Sequence, residues 1–440
     1  MSQTVAGILV DVLEKIGVTH IFGLIADSLN PIGDAVRRTK IEWIGVRHEE
    51  GGALAAAGQA KLTGRLGVCC GSTGPGSTHL VAGLYEANRD HAPVLAISGD
   101  MPRQLEGIDY FQATSPNMLF RDVSLYTETV TSPAQAPALI HQAIATAYAG
   151  RGVAHLTVPM DVLTAKVDGS VASVATLKPR PETIASEADI VETARRIDEA
   201  GDILIMCGAG CHGAAEELRV LSDRLKAPLI HSVKGKDIMP YDDPRWMGGI
   251  GMIGTKADYH AVMHCDLFLM LGTDYPYSEF LPRKSIVIQV DERARVFGRR
   301  APTELGVLGS VRPTVKALLD RVKPRSDRRF FDRVTAQRKA WNEMQDKQSD
   351  PARSKDRIHP QAVARMVSDL ARRDAVFVID TGLNTRSGRA TGSAKAASTG
   401  SSAPSTMAPS ALLWAKPMAS RRSTVRAKSS HSAATAVSTC

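Results

Sequence analysis

The sequence predicts an α/β protein made of two doubly wound parallel-sheet domains, the start of a third, and a disordered tail. Three observations predict it. Short apolar runs alternate with stretches of helical spacing through the first 165 residues. The same alternation resumes after a Pro- and polar-rich stretch at 177–188. The composition then changes abruptly after Thr385. At 440 residues the chain is too long for one ordinary core, and its 43% apolar content is enough for globular folding.

The elements follow in order. Residues 5–16 carry apolar side chains at helical spacing, 19–24 read as a strand, and Ser28 stands where it would cap a second helix. Residues 41–46 read as a strand, 49–62 as a helix rich in Ala and Gly, 66–70 as a strand, 78–88 as a helix and 94–98 as a strand. A helix at 138–148 and a strand at 154–158 complete the first domain, 1–165. Strands alternating with helices imply a mostly parallel sheet covered on both faces. The second domain, 185–325, takes strands at 202–207, 228–232, 267–271 and 285–290, with helices at 214–225 and 311–322. The charged stretch 323–355 reads as a partly helical connector. A third domain begins at 356–385 with a helix at 360–370 and a strand at 375–380. In the tail, 386–440, 26 of 55 residues are Ser or Ala without a sustained apolar period, so no core is expected there.

Charge and composition exclude several classes. The net charge is +8, but the tail holds eight Lys and Arg and no acid, which leaves 46 basic and 46 acidic residues in 1–385. A nucleic-acid surface needs basic residues on a folded face with aromatic or polar readers, so no nucleic-acid partner is expected. No 18-residue apolar run is present, and the start, Met1-Ser-Gln-Thr-Val5, lacks the basic-then-apolar plan of a secretion signal. A cytoplasmic location is expected, with peripheral membrane contact left open for a full-length form. The six cysteines show no metal spacing: Cys207 and Cys211 have no second Cys/His pair and read as buried thiols.

Two stretches of the first domain carry candidate chemistry. Val46-Arg-His-Glu-Glu-Gly-Gly-Ala-Leu-Ala-Ala-Ala-Gly58 runs from a strand end into a helix of small residues, which let another surface or a ligand approach closely. Glu49 can accept a hydrogen bond in a cleft there. Both Glu49 and Glu50 are also ordinary acids for a helix start. Gly71-Ser-Thr-Gly-Pro-Gly-Ser-Thr-His79 links a strand to a helix, where backbone amides bind anions, or where the chain simply turns. In the second domain, Gly208-Ala-Gly-Cys-His-Gly213 satisfies the dinucleotide pattern G-x-G-x-x-G, but no acid ends the next strand, which disfavours a nicotinamide site.

Together these segments resemble the pyrimidine-binding domain shared by pyruvate oxidases, acetolactate synthases and their relatives. Gly23-Leu-Ile-Ala-Asp-Ser-Leu-Asn30, Asn88-Arg-Asp-His-Ala-Pro-Val-Leu-Ala-Ile97 and Gly107-Ile-Asp-Tyr-Phe-Gln112 agree with it. The resemblance runs from Gln3 to Thr385 and is nearest to the pyruvate oxidase and quinone-dependent pyruvate dehydrogenase branch. It implies that 1–165 binds the pyrimidine of thiamine diphosphate and 185–325 binds FAD. Glu49 is implied as the carboxylate that bonds the aminopyrimidine, a proton relay for a cofactor that acts as electron sink. Thr73, His79, Phe111 and Gln112 match positions lining the same cleft. Gly208, Gly210, Gly251, Met252, Ile253, Gly254, Gly272, Thr273, Asp274 and Asp291 match the flavin stretches. The family's usual Asp after Gly309 is Ser310 here.

The implied reaction is oxidative decarboxylation of pyruvate or another 2-keto acid, with a quinone or oxygen as electron acceptor, in a homo-oligomer when full length. The rivals are an acetolactate synthase-like carboligase and a truncated flavin-binding protein without turnover. In the family the third domain holds Mg²⁺ on the diphosphate through a Gly-Asp-Gly motif and an Asn. No Gly-Asp-Gly occurs in these 440 residues, so no metal ligand is assigned. Read one base out of frame, residues 402–422 and 428–440 permit the family's third-domain pattern, Gly-Asp-Gly included. The expectation is therefore a frameshift at Thr385/Arg386 and a chain inactive as written.

Overall fold

The computed structural model describes residues 3–179, 182–353, 358–372 and 375. They fall into two compact units, 3–179 and 182–375. Both units are α/β with a six-stranded parallel sheet, which is the fold class the sequence predicts.

In unit 1, β1 (Gln3–Thr4) leads into α1 (Val5–Lys15), where the Thr4 hydroxyl accepts from Gly7 N at 3.1 Å as the N-cap. Then come β2 (His20–Gly23), α2 (Asn30–Val36), β3 (Glu42–Gly45), α3 (Glu49–Thr63), β4 (Gly67–Gly71) and α4 (Pro75–Arg89). The unit continues through β5 (Val94–Asp100), α5 (Pro116–Leu119), β6 (Tyr126–Thr129), α6 (Ala136–Gly150), β7 (Val153–Pro159), α7 (Met160–Thr164) and β8 (Lys166–Val167). The strand order is β3-β2-β4-β5-β7-β6, and the small β8 pairs antiparallel with β1. The central strands β4, β5 and β7 are buried on both faces, which is why they read as unbroken apolar runs.

From β2 the chain steps outward to β3, then returns to the other side of β2 at β4. The switch point lies between β2 and β4, and ligands of doubly wound sheets bind beyond the carboxyl ends of the strands at such a point. Helix α3 has no broad apolar stripe because its small residues let α4 come close: a Cβ at Gly83 would stand 2.7 Å from Ala53 Cβ. Lys61 of α3 bridges Glu86, at 2.6 Å, and Asp90 at the end of α4.

Unit 2 holds α8 (Glu187–Glu199), β9 (Ile203–Cys207), α9 (Ala215–Leu225), β10 (Leu229–His231), β11 (Trp246–Gly249) and α10 (Lys256–His264). Beyond these lie β12 (Leu267–Leu271), β13 (Ile286–Asp291), β14 (Leu305–Leu308), α11 (Val311–Leu319), α12 (Arg329–Gln348) and α13 (Pro360–Leu370). The order is β11-β10-β9-β12-β13-β14, so the switch point falls between β9 and β12.

Several expectations need correction. Ser28 caps no helix: it lies in a 3₁₀ turn, Asp27–Leu29, and α2 starts at Asn30. Helix α4 starts at Pro75 rather than 78, because proline suits the first helical turn. After β9 the glycine run forms a 3₁₀ turn, Ala209–Cys211, and the helix expected at 214–225 is α9, Ala215–Leu225. The connector contains the 20-residue α12, whose Phe330 and Val334 join the unit 2 core. Ser186, placed in the linker, caps α8 by accepting from Asp189 N at 3.1 Å. The expected strand at 375–380, apart from residue 375, and the tail 386–440 lie outside the described residues.

Candidate active site

In unit 1 the candidate residues gather at the switch point. Glu49 is the first residue of α3, directly beyond β3, and is buried. His79, one turn into α4, donates from Nδ1 to Glu49 Oε2 at 2.9 Å. The His48 ring stacks on His79 with centroids 4.3 Å apart and planes at 25°, and His48 Nδ1 accepts from Glu50 N at 3.3 Å, capping α3. The other carboxylate oxygen looks toward the start of α4, since a Cβ at Gly76 would stand 3.2 Å from Glu49 Oε1. Two helix N-termini and an imidazole thus converge on one buried carboxylate. Glycine at 76 lets the start of α4 come this close to Glu49, since a Cβ would also stand 3.0 Å from Ser72 Cβ.

The loop after β4 is held from below. Ser28 Oγ lies 3.1 Å from Ser72 Oγ and accepts from Thr73 N at 3.3 Å. That contact, rather than a helix cap, is what Ser28 does. Thr73 is buried in this loop, and a Cβ at Gly74 would meet Gln112 O at 2.5 Å. The structure therefore brings Glu49, Thr73, His79 and the backbone of Gln112 to one place. Phe111 is 76% exposed, on a segment where Asp109 and Gln112 adopt positive φ. Reading the sequence assigned no site role to His48, Ser28 or Ser72. Their contacts join residues up to 45 positions apart, and no local pattern shows them.

At the switch point of unit 2 the glycines meet one another. Gly272 has φ +57°, and a Cβ there would stand 2.5 Å from Gly210 Cα. Gly210 N donates to Gly272 O at 3.0 Å and Gly208 N to Leu271 O at 2.9 Å. His212 closes the loop, with Nε2 on Asp237 at 3.0 Å and Nδ1 on Ala209 O at 2.7 Å, and the Asp237 hydrogen bond raises its pKa. Asp274 is paired with Arg299 and Arg300, and Asp291 accepts from Arg293 N and Nε, each at 3.0 Å. Gln289 Nε2 donates to Thr273 O at 3.1 Å. Met252, Ile253 and Gly254 line a cleft of about 730 Å³ together with α10, α12 and the start of α13. Ser310, where the resembling family carries Asp, accepts from Thr183 N at 2.8 Å and donates to Glu292. It anchors the chain entering the unit.

Two doubly wound units, one with a buried carboxylate at its strand-end crevice, define the class as an α/β protein of two parallel-sheet domains. The chain belongs to the thiamine pyrophosphate enzyme family. Residues 3–119 match the family's N-terminal TPP binding domain and 190–318 its central domain. It is 43% identical to an uncharacterized 42.6 kDa protein of Pseudomonas amyloderamosa, over 76% of this chain and 84% of that protein. It is 35% identical to the putative thiamine pyrophosphate-containing protein YdaP of Bacillus subtilis (strain 168), over 86% of this chain and 66% of the relative. It is also 34% identical to a pyruvate oxidase of Lactiplantibacillus plantarum, over 85% of this chain and 63% of the relative. Proteins described as acetolactate synthases and sulfoacetaldehyde acetyltransferases match as well. The chain spans about two thirds of the length of YdaP and of the pyruvate oxidase. Among the described residues, no helix is long and apolar enough to cross a membrane.

Proposed function

We propose that this chain carries the pyrimidine-binding and flavin-binding parts of an enzyme that oxidatively decarboxylates pyruvate, passing electrons through FAD to a quinone or oxygen. The observation that carries the reading is Glu49, a buried carboxylate at the switch point with one oxygen fixed by His79 and the other facing Gly76 at the start of α4. Thiamine diphosphate, when bound, supplies the electron sink for loss of carbon dioxide from a 2-keto acid, and FAD supplies a two-electron acceptor. The protein's own part is positional. Glu49 holds a proton at a ring nitrogen of the pyrimidine. His79 keeps the carboxylate from turning. Ser28 holds the loop of Thr73 in place.

For the flavin, Gly208, Gly210 and Gly272 act through loop packing, because their Cα atoms and the Gly208 and Gly210 amides are engaged with each other's loops. Thr273, Asp274, Asp291 and the Gly251–Ile253 segment remain to meet the ligand. Asp291 would share its carboxylate between Arg293 and a ribose hydroxyl. Because no Gly-Asp-Gly occurs in the sequence, turnover is assigned to the protein read in the restored frame after Thr385, with Mg²⁺ held by that third domain. The acetolactate synthase relatives keep carboligation as a second reading.

The test is the frame-restored protein given pyruvate and a soluble quinone. Quinone reduction in step with carbon dioxide release, by a yellow protein that yields FAD on denaturation, is the expected result. Acetolactate without acceptor reduction selects the second reading, and a protein left colourless after incubation with FAD removes the flavin assignment.

A further inference from the structure

We propose that His48, Glu49 and His79 form a binding site for a borderline divalent transition-metal ion, with Zn²⁺ as the probe, at the mouth of the unit 1 crevice. One donor atom from each residue lies within 4.8 Å of the others. The set of two imidazoles and one carboxylate is one that zinc takes in open, three-ligand sites, where water fills the fourth position. With metal–ligand bonds of about 2.0–2.2 Å, donors in a tetrahedral shell sit about 3.4 Å apart, so the trio has to close by no more than about 1.5 Å. The two imidazoles have the room for this: the His48 and His79 side chains are 54% and 42% exposed, while Glu49 is fixed and buried.

The His79–Glu49 hydrogen bond already brings a nitrogen and a carboxylate oxygen to 2.9 Å, a pair that has to open by only about 0.5 Å to share one ion. A metal ion there takes the place of the shared proton. The stacked His48 ring, 4.3 Å from that of His79, brings the third donor from the neighbouring helix cap. Uptake of the ion releases protons, so affinity falls as the solution is acidified. An ion at this position occupies the carboxylate that the thiamine reading needs, which makes metal and pyrimidine mutually exclusive. The exclusion rests on the function proposed above, whereas the binding of the ion does not.

The experiment is calorimetric titration of Zn²⁺ into the chelator-treated 440-residue chain near neutral pH, repeated in two buffers of different ionisation heat. One ion per chain with a buffer-dependent heat is expected. His79→Ala and Glu49→Gln are each expected to weaken it by at least about tenfold, since even outer-shell changes commonly cost that much. His48→Ala also removes the α3 cap, so His79→Ala, whose residue caps nothing, is the deciding variant, with far-UV circular dichroism to show that it folds. Absence of uptake, or equal affinity in His79→Ala and the unaltered chain, overturns the site. Loss of Zn²⁺ uptake in Glu49→Gln alongside full decarboxylation by the same variant in the frame-restored enzyme leaves the metal site standing and overturns only the thiamine reading.

Discussion

At the switch point of unit 1, the starts of α3 and α4 converge on a carboxylate, and Gly76 lets the two come close. At the switch point of unit 2, the loops leaving β9 and β12 touch each other, glycine against glycine, and the acids there are already paired with arginines. Glycine-rich turns that look alike in the sequence therefore do different things. In unit 1, glycine lets the start of a helix approach a charged group. In unit 2, it lets two loops pack. A G-x-G-x-x-G pattern says only that backbones come close, and whether the close partner is a ligand or another loop depends on contacts far away in the sequence.

The largest effect expected from the contrast between the units is in their response to acid. His155 in unit 1 is fully buried between Thr127 Oγ1 and Ser98 Oγ, both at 2.8 Å, and burial lowers its pKa to about 3. In the unfolded chain it protonates near 6.5, so acidification favours unfolding: the stability His155 contributes above pH 6.5 is lost progressively toward about pH 3, on the order of 5 kcal/mol in full. Asp258 in unit 2 has the opposite sign. Burial raises its pKa to about 6 from 3.8, so its contribution is present below pH 3.8 and is lost as pH rises through about 6, on the order of 3 kcal/mol. Hydrogen exchange at pH 7 and 4.5, corrected for intrinsic rates, should show His155→Gln flattening the profile of β5 and β7 and Asp258→Asn that of β9 and β12. Unchanged profiles in both variants would erase this difference.

Next in size is the contrast between the glycines. Gly272→Ala puts a side chain at φ +57° against Gly210 Cα, and should cost unit 2 about 3 kcal/mol or more in denaturant unfolding. Gly76→Ala meets only Ser72 Cβ at 3.0 Å and Glu49 Oε1 at 3.2 Å among side chains, and should cost less than about 1.5 kcal/mol while blocking the carboxylate. Equal losses from both substitutions would show that the two turns do the same thing after all. Smallest is Ser28→Ala. It removes the contacts to Ser72 and Thr73 and should lower stability by about 1 kcal/mol, with faster exchange confined to residues near 72–76.

The two sheets were legible in the sequence because their central strands are short apolar runs bounded by turns: β12 and α13 fall on the expected residues, and most other strands within one or two. Two of the missed strands have a physical reason. β6 is a half-exposed edge strand of Tyr, Thr and Glu, and β11 ends in two glycines. α8 was partly hidden in a polar stretch that reads as linker, and the 20-residue α12 buries only four of its residues. Of the site, Glu49, Thr73 and His79 stood out through the resemblance of their segments to a known family, whereas the link from Ser28 to Ser72 and the stacked pair His48–His79 depend on how the sheet folds. The flavin glycines were visible as glycines, but not as partners of one another.

The central claim is that Glu49 is the carboxylate that serves the thiamine pyrimidine. It is tested most directly by the rate of pyruvate decarboxylation in the frame-restored protein, comparing Glu49 with Glu49→Gln at saturating thiamine diphosphate and Mg²⁺. Glutamine keeps the size of the side chain but cannot hold the proton, so the rate is predicted to fall by about 100-fold or more with the fold unchanged. A variant that keeps more than about a tenth of the rate would contradict the account.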